Sequence, residues 1–142
     1  MSKATNAQDF IAELAIAFHG SGDTVKLDEL FADDLVILLT DKVLPTTVGM
    51  NKQGWLNHCA NYYAKVYNMR VKTFNVFGDI NDLIGWEYRF TFTSKKDNPK
   101  MGAREGEDIT IRGMSIYKLR TSEKGLQIVE GRDYYSFLHK ED

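Results

Sequence analysis

The chain has 142 residues, of which 43% are hydrophobic, with 18 Lys and Arg against 20 Asp and Glu. That length builds one domain with a real core and is too short for two ordinary ones, so residues 1–142 read as a single soluble globular domain. A net charge of −2 leaves no basic excess to hold a phosphate backbone, which excludes nucleic acid as the expected partner. The single Cys59 cannot close an internal disulfide, the opening Met1-Ser2-Lys3-Ala4-Thr5-Asn6 is polar rather than signal-like, and no apolar run approaches the ~20 residues of a membrane-spanning helix. A cytoplasmic location without membrane contact is the resulting expectation.

From Asn6 to His19, the residues Phe10, Ile11, Leu14, Ala17 and Phe18 recur at helical spacing, with Asn6 as cap and Gly20 as stop. A Gly-Asp turn follows, then a short helix through Leu27, Leu30 and Phe31. The apolar run Leu35–Leu39 is too short for a helix and reads as a buried strand. Asp41–Gly49 reads as a loop or a short edge hairpin, since Pro45 cannot donate to a ladder. Asn51–Tyr67 is the longest predicted helix, with Trp55, Cys59, Tyr62, Tyr63 and Val66 along one stripe. Core packing explains such a stripe; the functional alternative is that Trp55, Cys59 and Tyr62 also wall a ligand cavity.

Strands then follow in quick succession. Met69–Phe77 and Leu83–Thr93 flank a turn at Asp79–Asp82, and the second places Trp86, Tyr88, Phe90 and Phe92 on one face, predicted inward. A charged loop, Ser94–Lys100, precedes two long antiparallel strands within Gly106–Leu138, joined at Thr121–Gly125. No repeat, linker or low-complexity tract divides the chain. On the last strand, one face carries Val129, Gly131, Asp133 and Tyr135. A carboxylate in line with small and apolar neighbours is costly in a purely structural strand, which makes Asp133 the first candidate for chemistry.

The mid-strand glycine of Ile111-Arg112-Gly113-Met114-Ser115-Ile116-Tyr117, the turn, and then Ile128-Val129-Glu130-Gly131-Arg132-Asp133-Tyr134-Tyr135 resemble the end of the nuclear transport factor 2-like superfamily. Within it, the chain is most similar to SnoaL-like polyketide cyclases and limonene-epoxide-hydrolase-like proteins. The order helix, Gly-Asp turn, short helix, Phe-Ala-Asp-Asp, strand is similar to the opening of the same fold. The resemblance implies an α+β, cystatin-like architecture: a cone-shaped, curved, antiparallel to mixed sheet wrapped around one long helix, with two further N-terminal helices. It also implies that the final Asp belongs to acid/base machinery and that ligands enter the cone.

The inward faces would line that cone with Ile37, Leu39, Trp55, Cys59, Trp86, Tyr88, Phe90, Ser115, Tyr117, Val129, Gly131 and Asp133, the mostly apolar make-up of a small-molecule site. His58 faces either the cavity mouth or solvent. Desolvation should raise the Asp133 pKa unless Arg132, Arg112 or His58 holds it ionised. A carboxyl poised that way moves a proton next to a carbonyl, as an aldol-type cyclase or isomerase requires. Its structural alternative is an ion pair with Arg132, Arg112 or Arg89. In the epoxide hydrolases, an Arg-x-Asp on the middle strand and Tyr and Asn on the first strand hold the attacking water. Here the corresponding positions are Tyr88 and Phe90, and Ile37 and Leu39, so epoxide hydrolysis is disfavoured. Trp86 stands where many cyclase-like proteins carry an inward Arg.

No His, Cys and Asp grouping has metal-ligand spacing, and no Gly-rich phosphate loop or nucleophile elbow occurs, so no metal and no cofactor are expected. The rival function is a non-catalytic ligand-binding or dimerisation module. A homodimer through the outer sheet face, carrying Thr91, Thr110, Met114 and Ile116, is expected under either function.

Overall fold

The computed structural model describes residues 2–41 and 47–138. Three helices form where side-chain caps satisfy their first free N–H groups. Asn6 accepts from Asp9 N at 2.8 Å ahead of α1 (Ala7–Phe18), Asp23 accepts from Lys26 N ahead of α2 (Thr24–Leu30), and Asn51 accepts from Gly54 N ahead of α3 (Lys52–Lys65). Phe10, Ile11, Leu14, Ala17 and Phe18 form the buried stripe of α1. The third helix stops short of the expected Tyr67 because Val66 already belongs to the next strand, paired with Ser94.

The strands are β1 (Phe31–Asp41), β2 (Thr47–Met50), β3 (Val66–Gly78), β4 (Leu83–Ser94), β5 (Asp108–Ser122) and β6 (Gly125–Leu138). They form one sheet in the order β2-β1-β6-β5-β4-β3. The β1–β6 pair is parallel and every other pair antiparallel. The architecture is therefore the expected α+β one, with a mixed sheet that does not close on itself. The first strand begins earlier than its apolar run, because Phe31 pairs with Ile128 before an irregularity that ends at Val36. The expected edge hairpin is present as β2 on β1, while Lys42–Thr46, with Pro45, lie outside the described residues.

Register shifts bend the sheet. Two fall in β3, one at Asn68 with its φ of 54° and one between Thr73 and Asn75, and another lies between β5 and β6, where Leu119 pairs with Ile128 but Lys118 with Glu130. Val129 is the extra residue there. The inward positions accordingly pass from Leu126 and Ile128, both buried, to Gly131 and Asp133. Strict alternation, which places Val129 inside, fails at this bulge: Val129 is half-buried and Ile128 takes the core position with no exposed surface.

Two apolar clusters result. The larger joins α1, α2 and the Trp55–Cys59 face of α3 to Ile37, Ile84, Trp86, Tyr117 and Ile128; the smaller gathers Val66, Met69, Phe92, Ala103, Ile109 and Ile111. Val71 and Phe90 pack on both. The turn between α1 and α2 is tied to β3 by reciprocal Gly20 and Met69 backbone bonds of 2.7 and 3.0 Å. Beside it, Gly22 has φ +77°, and a Cβ there would lie 2.5 Å from the Tyr63 ring, whose hydroxyl donates to the Phe18 carbonyl. Gly22→Ala should lower unfolding stability by more than ~1 kcal/mol through the left-handed backbone alone, with a further loss from the displaced ring. Urea denaturation of the variant checks this, and a midpoint within error of wild type would show the turn to be free to rearrange.

Candidate functional site

Three rows of inward side chains cross the centre of the sheet. The first is Ile84, Tyr117, Gly131 and Ile37; the second Trp86, Ser115, Asp133 and Leu39; the third begins with Tyr88, Gly113 and Tyr135. Asp133 is thus the direct cross-strand neighbour of Ser115. The Ser115 hydroxyl donates to Asp133 Oδ1 at 2.6 Å, and Tyr88 Oη lies 3.0 Å from Ser115 Oγ. Since the serine proton is committed to the carboxylate, the Tyr88 hydroxyl is the donor in the second bond. The chain Tyr88 to Ser115 to Asp133 spans three adjacent strands.

Glycines make room for the tyrosines. A Cβ on Gly113 would lie 2.8 Å from the Tyr88 ring and 2.9 Å from the Tyr134 carbonyl oxygen, and one on Gly131 would lie 3.1 Å from both Ile37 and Tyr117. Asp133 itself is 6% exposed. Burial raises its pKa to about 6, against hydrogen bonding from Ser115 and Tyr117 that favours the charged form. The arginines weighed as partners stand on the opposite face. Arg132 is exposed and one residue out of phase, Arg112 pairs with Glu87 at 3.5 Å and covers the Phe74 ring, and Arg89 lies over the same ring. Among the described residues no cation forms a salt bridge with Asp133, and the ion-pair alternative is set aside on geometry.

A cavity of about 90 Å³ opens where the two apolar clusters meet. Its walls are Leu39 and Asp133 with Tyr135 from the β1–β6 side, Tyr88, Phe90, Phe92 and Ile111 from β4 and β5, and Trp55, His58, Cys59, Tyr62 and Tyr63 from α3, closed by Phe18 and Met69. Burial and the Asp133 charge push the Cys59 thiol up to about 12. Burial also pushes the Tyr88 hydroxyl far up and holds His58 below its ordinary value, so the thiol, the phenol and the imidazole are all neutral near pH 7. Asp133 is left as the titrating group of the wall.

Of the residues singled out from the sequence, Leu39, Trp55, His58, Cys59, Tyr62, Tyr88, Phe90 and Asp133 line this cavity. Ile37, Trp86 and Tyr117 stand in the core behind it. Trp86 is 1% exposed and donates its indole N–H to Thr73 Oγ1 at 3.0 Å. Tyr117 reaches Asp133 from behind, where burial raises its own pKa well above the ordinary value. Phe18, Tyr63 and Met69 are wall residues that were not expected to line the cone, although periodicity places Phe18 and Tyr63 on apolar helical stripes. Phe18 lies on the same buried stripe as Leu14, and that stripe was the available signal. Among the described residues, no three His, Cys, Asp or Glu side chains group as a metal site, and no helix is long and apolar enough to cross a membrane.

An α+β cone whose inward sheet face meets helices around a small cavity defines the class of protein. No family model matches the chain, and no curated protein matches it significantly. Solved structures do match. A candidate polyketide cyclase from Acidithiobacillus ferrooxidans is 17% identical with a TM-score of 0.69, over 95% of this chain and 91% of that one. A candidate SnoaL-like polyketide cyclase from Shewanella denitrificans is 15% identical with a TM-score of 0.65, over 91% and 89% of the two chains. A nuclear transport factor 2-like protein from Cytophaga hutchinsonii is 18% identical with a TM-score of 0.56, over 89% and 93%. The chain has the nuclear transport factor 2-like fold.

Folding takes up a proton at Asp133 between the ordinary carboxyl value of 3.8 and about 6. The stability this group contributes is therefore fully present below 3.8 and is lost as pH rises through about 6. Asp133→Asn should match wild type near the low end of that window and exceed it at neutral pH by up to about 3 kcal/mol, roughly two pKa units at about 1.4 kcal/mol each. Denaturation midpoints across the window check this; a steep fall in the variant at neutral pH would restore a structural ion pair. Gly113→Ala should cost ~1–3 kcal/mol by overpacking, and part of that loss should be recovered in a Tyr88→Leu background. Full additivity of the two substitutions would mean that Gly113 does not seat the tyrosine.

Proposed function

We propose that the cavity binds a small hydrophobic molecule and that Asp133 is its general acid and base, in the manner of a SnoaL-like cyclase or an isomerase. One observation carries this: a carboxyl buried on a cavity wall, hydrogen-bonded by hydroxyls and facing no cation, with its pKa raised to about 6. Near neutral pH such a group takes a proton from a carbon beside a carbonyl and returns it elsewhere, or leaves the carbanion to attack a second carbonyl and close a ring. The apolar walls favour the neutral enol over a solvated charge. Epoxide hydrolysis by paired acids lacks support, because among the described residues Asp133 is the only carboxylate on the wall.

The cavity volume sets the ligand size. An apolar cavity of about 150 Å³ holds benzene, so one of about 90 Å³ takes a single small ring rather than a fused system unless its walls move. Trp55, which lines it, is the fluorescent reporter, whereas Trp86 is screened in the core. A second copy of the chain is proposed to cover the outer sheet face, where Thr91, Thr110, Met114 and Ile116 are half-buried; a monomeric mass by light scattering dismisses it.

The test of catalysis is deuterium exchange at the α-carbons of a small cyclic ketone such as cyclopentanone. The wild-type rate should rise with pH through about 6 and fall by ~10²–10⁴ in Asp133→Asn. Equal rates in the two proteins, with ketone binding retained, would favour the non-catalytic binding module.

A further inference from the structure

Trp55 is 6% exposed and fixed on three sides: edge-on to Phe18 at 6.4 Å between centroids, tilted over Phe31 at 5.4 Å, and stacked on His58 at 5.7 Å. Its indole nitrogen is nonetheless unpartnered. Among the described residues, Trp55 Nε1 is the buried side-chain polar atom for which no hydrogen-bond acceptor is present. The other tryptophan shows the usual outcome, with Trp86 Nε1 donating to Thr73 Oγ1 at 3.0 Å. A buried N–H left unmade is destabilising, and native proteins rarely tolerate one without a reason.

The place of this N–H supplies a reason. Trp55 is on the α3 wall of the cavity, and Asp133 is on the β6 wall. Cys59, one turn along α3 from Trp55, lines the same cavity of about 90 Å³, so the α3 wall and the Asp133 wall enclose one small space. Between them lie aromatic and aliphatic surfaces and, among the described residues, no Lys or Arg. An anionic ligand would bring a second negative charge beside Asp133 with nothing to offset it. A pure hydrocarbon would leave the indole N–H as unsatisfied as before.

Resting on the ligand-binding reading above, we propose that Trp55 Nε1–H is the orienting donor of the site, which selects a neutral single-ring molecule carrying a carbonyl oxygen. That oxygen accepts from Trp55, and the adjacent C–H bonds are thereby turned toward the Asp133 wall. A carbonyl supplies both features at once: an acceptor lone pair for the indole and acidic C–H bonds for the carboxylate. Trp55 therefore sets which carbon is presented, and its hydrogen bond strengthens as charge develops on the oxygen.

The experiment uses the full chain labelled with ¹⁵N at its two indoles, whose signals are assigned with Trp55→Phe. Cyclopentanone and cyclopentane are titrated in turn, while binding is also followed by thermal stabilisation. The expected result is a saturable downfield shift of the Trp55 N–H signal with the ketone alone, the Trp86 signal staying fixed. The ketone should bind at least about tenfold more tightly than the hydrocarbon, equivalent to about 1.4 kcal/mol, and Trp55→Phe should abolish that preference. Saturable ketone binding with an unmoved Trp55 signal, or a preference that survives in Trp55→Phe, overturns the inference and leaves the ligand-binding reading standing. Binding of neither probe by wild type removes the cavity reading and this inference with it.

Discussion

The arrangement depends on one constraint: a carboxyl group buried at the centre of the sheet's inner face has to be solvated by protein hydroxyls, because among the described residues no cation pairs with it. Asp133 is held between β5 and β1, opposite Ser115 on one side and Leu39 on the other. Its solvation comes from β5 directly, through Ser115, and from β4 at one remove, through Tyr88. Those bonds exist only in this register, since a one-residue slip of β6 would turn Asp133 outward and away from Ser115. The glycines serve the same end. Gly113 and Gly131 lie beside the Ser115–Asp133 row and leave space for the rings of Tyr88 and Tyr117 to lean toward it. Even so, hydroxyl donors compensate less than full hydration does, and the residual cost is what lifts the pKa to about 6.

Much of this was legible in the sequence because it follows from period. The alternation of Trp86, Tyr88, Phe90 and Phe92 places one aromatic face of β4 inward, and the same parity on β6 singles out Asp133. Asn6 caps the first helix as read, while Asp23 and Asn51, which cap the other two, carry the same cap chemistry. Parity fails where the backbone adds a residue. The bulge at Val129 moves Ile128 into the core, and no feature of the residues around it announces the insertion. Period also gives the side a residue faces but not its depth. Ile37, Trp86 and Tyr117 face inward as read, yet they pack behind the cavity rather than along it, because the helices fill that part of the cone. The unpaired indole of Trp55 was illegible for a related reason: whether a donor finds an acceptor depends on all the elements around it.

The neighbours in structure share this sheet and helix arrangement at 15–18% identity, which leaves the inner rows free to differ. Fold fixes where the rows are and sequence fixes what stands in them. In this chain the row through Asp133 holds Trp86, Ser115 and Leu39, so the carboxyl has a polar neighbour on one side alone. An inward arginine at position 86 would lower the Asp133 pKa by its charge and make the carboxylate half of an ion pair. Trp86 does the reverse, excluding water while its indole N–H is satisfied elsewhere, on Thr73.

The same packing limits the direction in which a ligand can grow. Deeper into the cone, past Asp133, stand Ile37, Tyr117 and Trp86, each at most 2% exposed. Displacing any of them would open core that the helices cover. On the α3 side the wall is thinner. His58 and Tyr62 line both the inner cavity and an outer groove of about 220 Å³ that also includes Asn61, Lys65, Val66 and Met101. Both side chains are half-buried, and their rings meet edge to face at 5.4 Å. A rotamer change in a half-buried side chain costs far less than a cavity in a packed core. On the proposed ligand-binding reading, a molecule larger than one ring would therefore extend across α3 toward solvent, into a groove whose edge carries the polar Asn61 and Lys65. The inner cavity around Asp133 and the outer groove are thus lined by largely different side chains, sharing only His58 and Tyr62, and the two linings can vary independently.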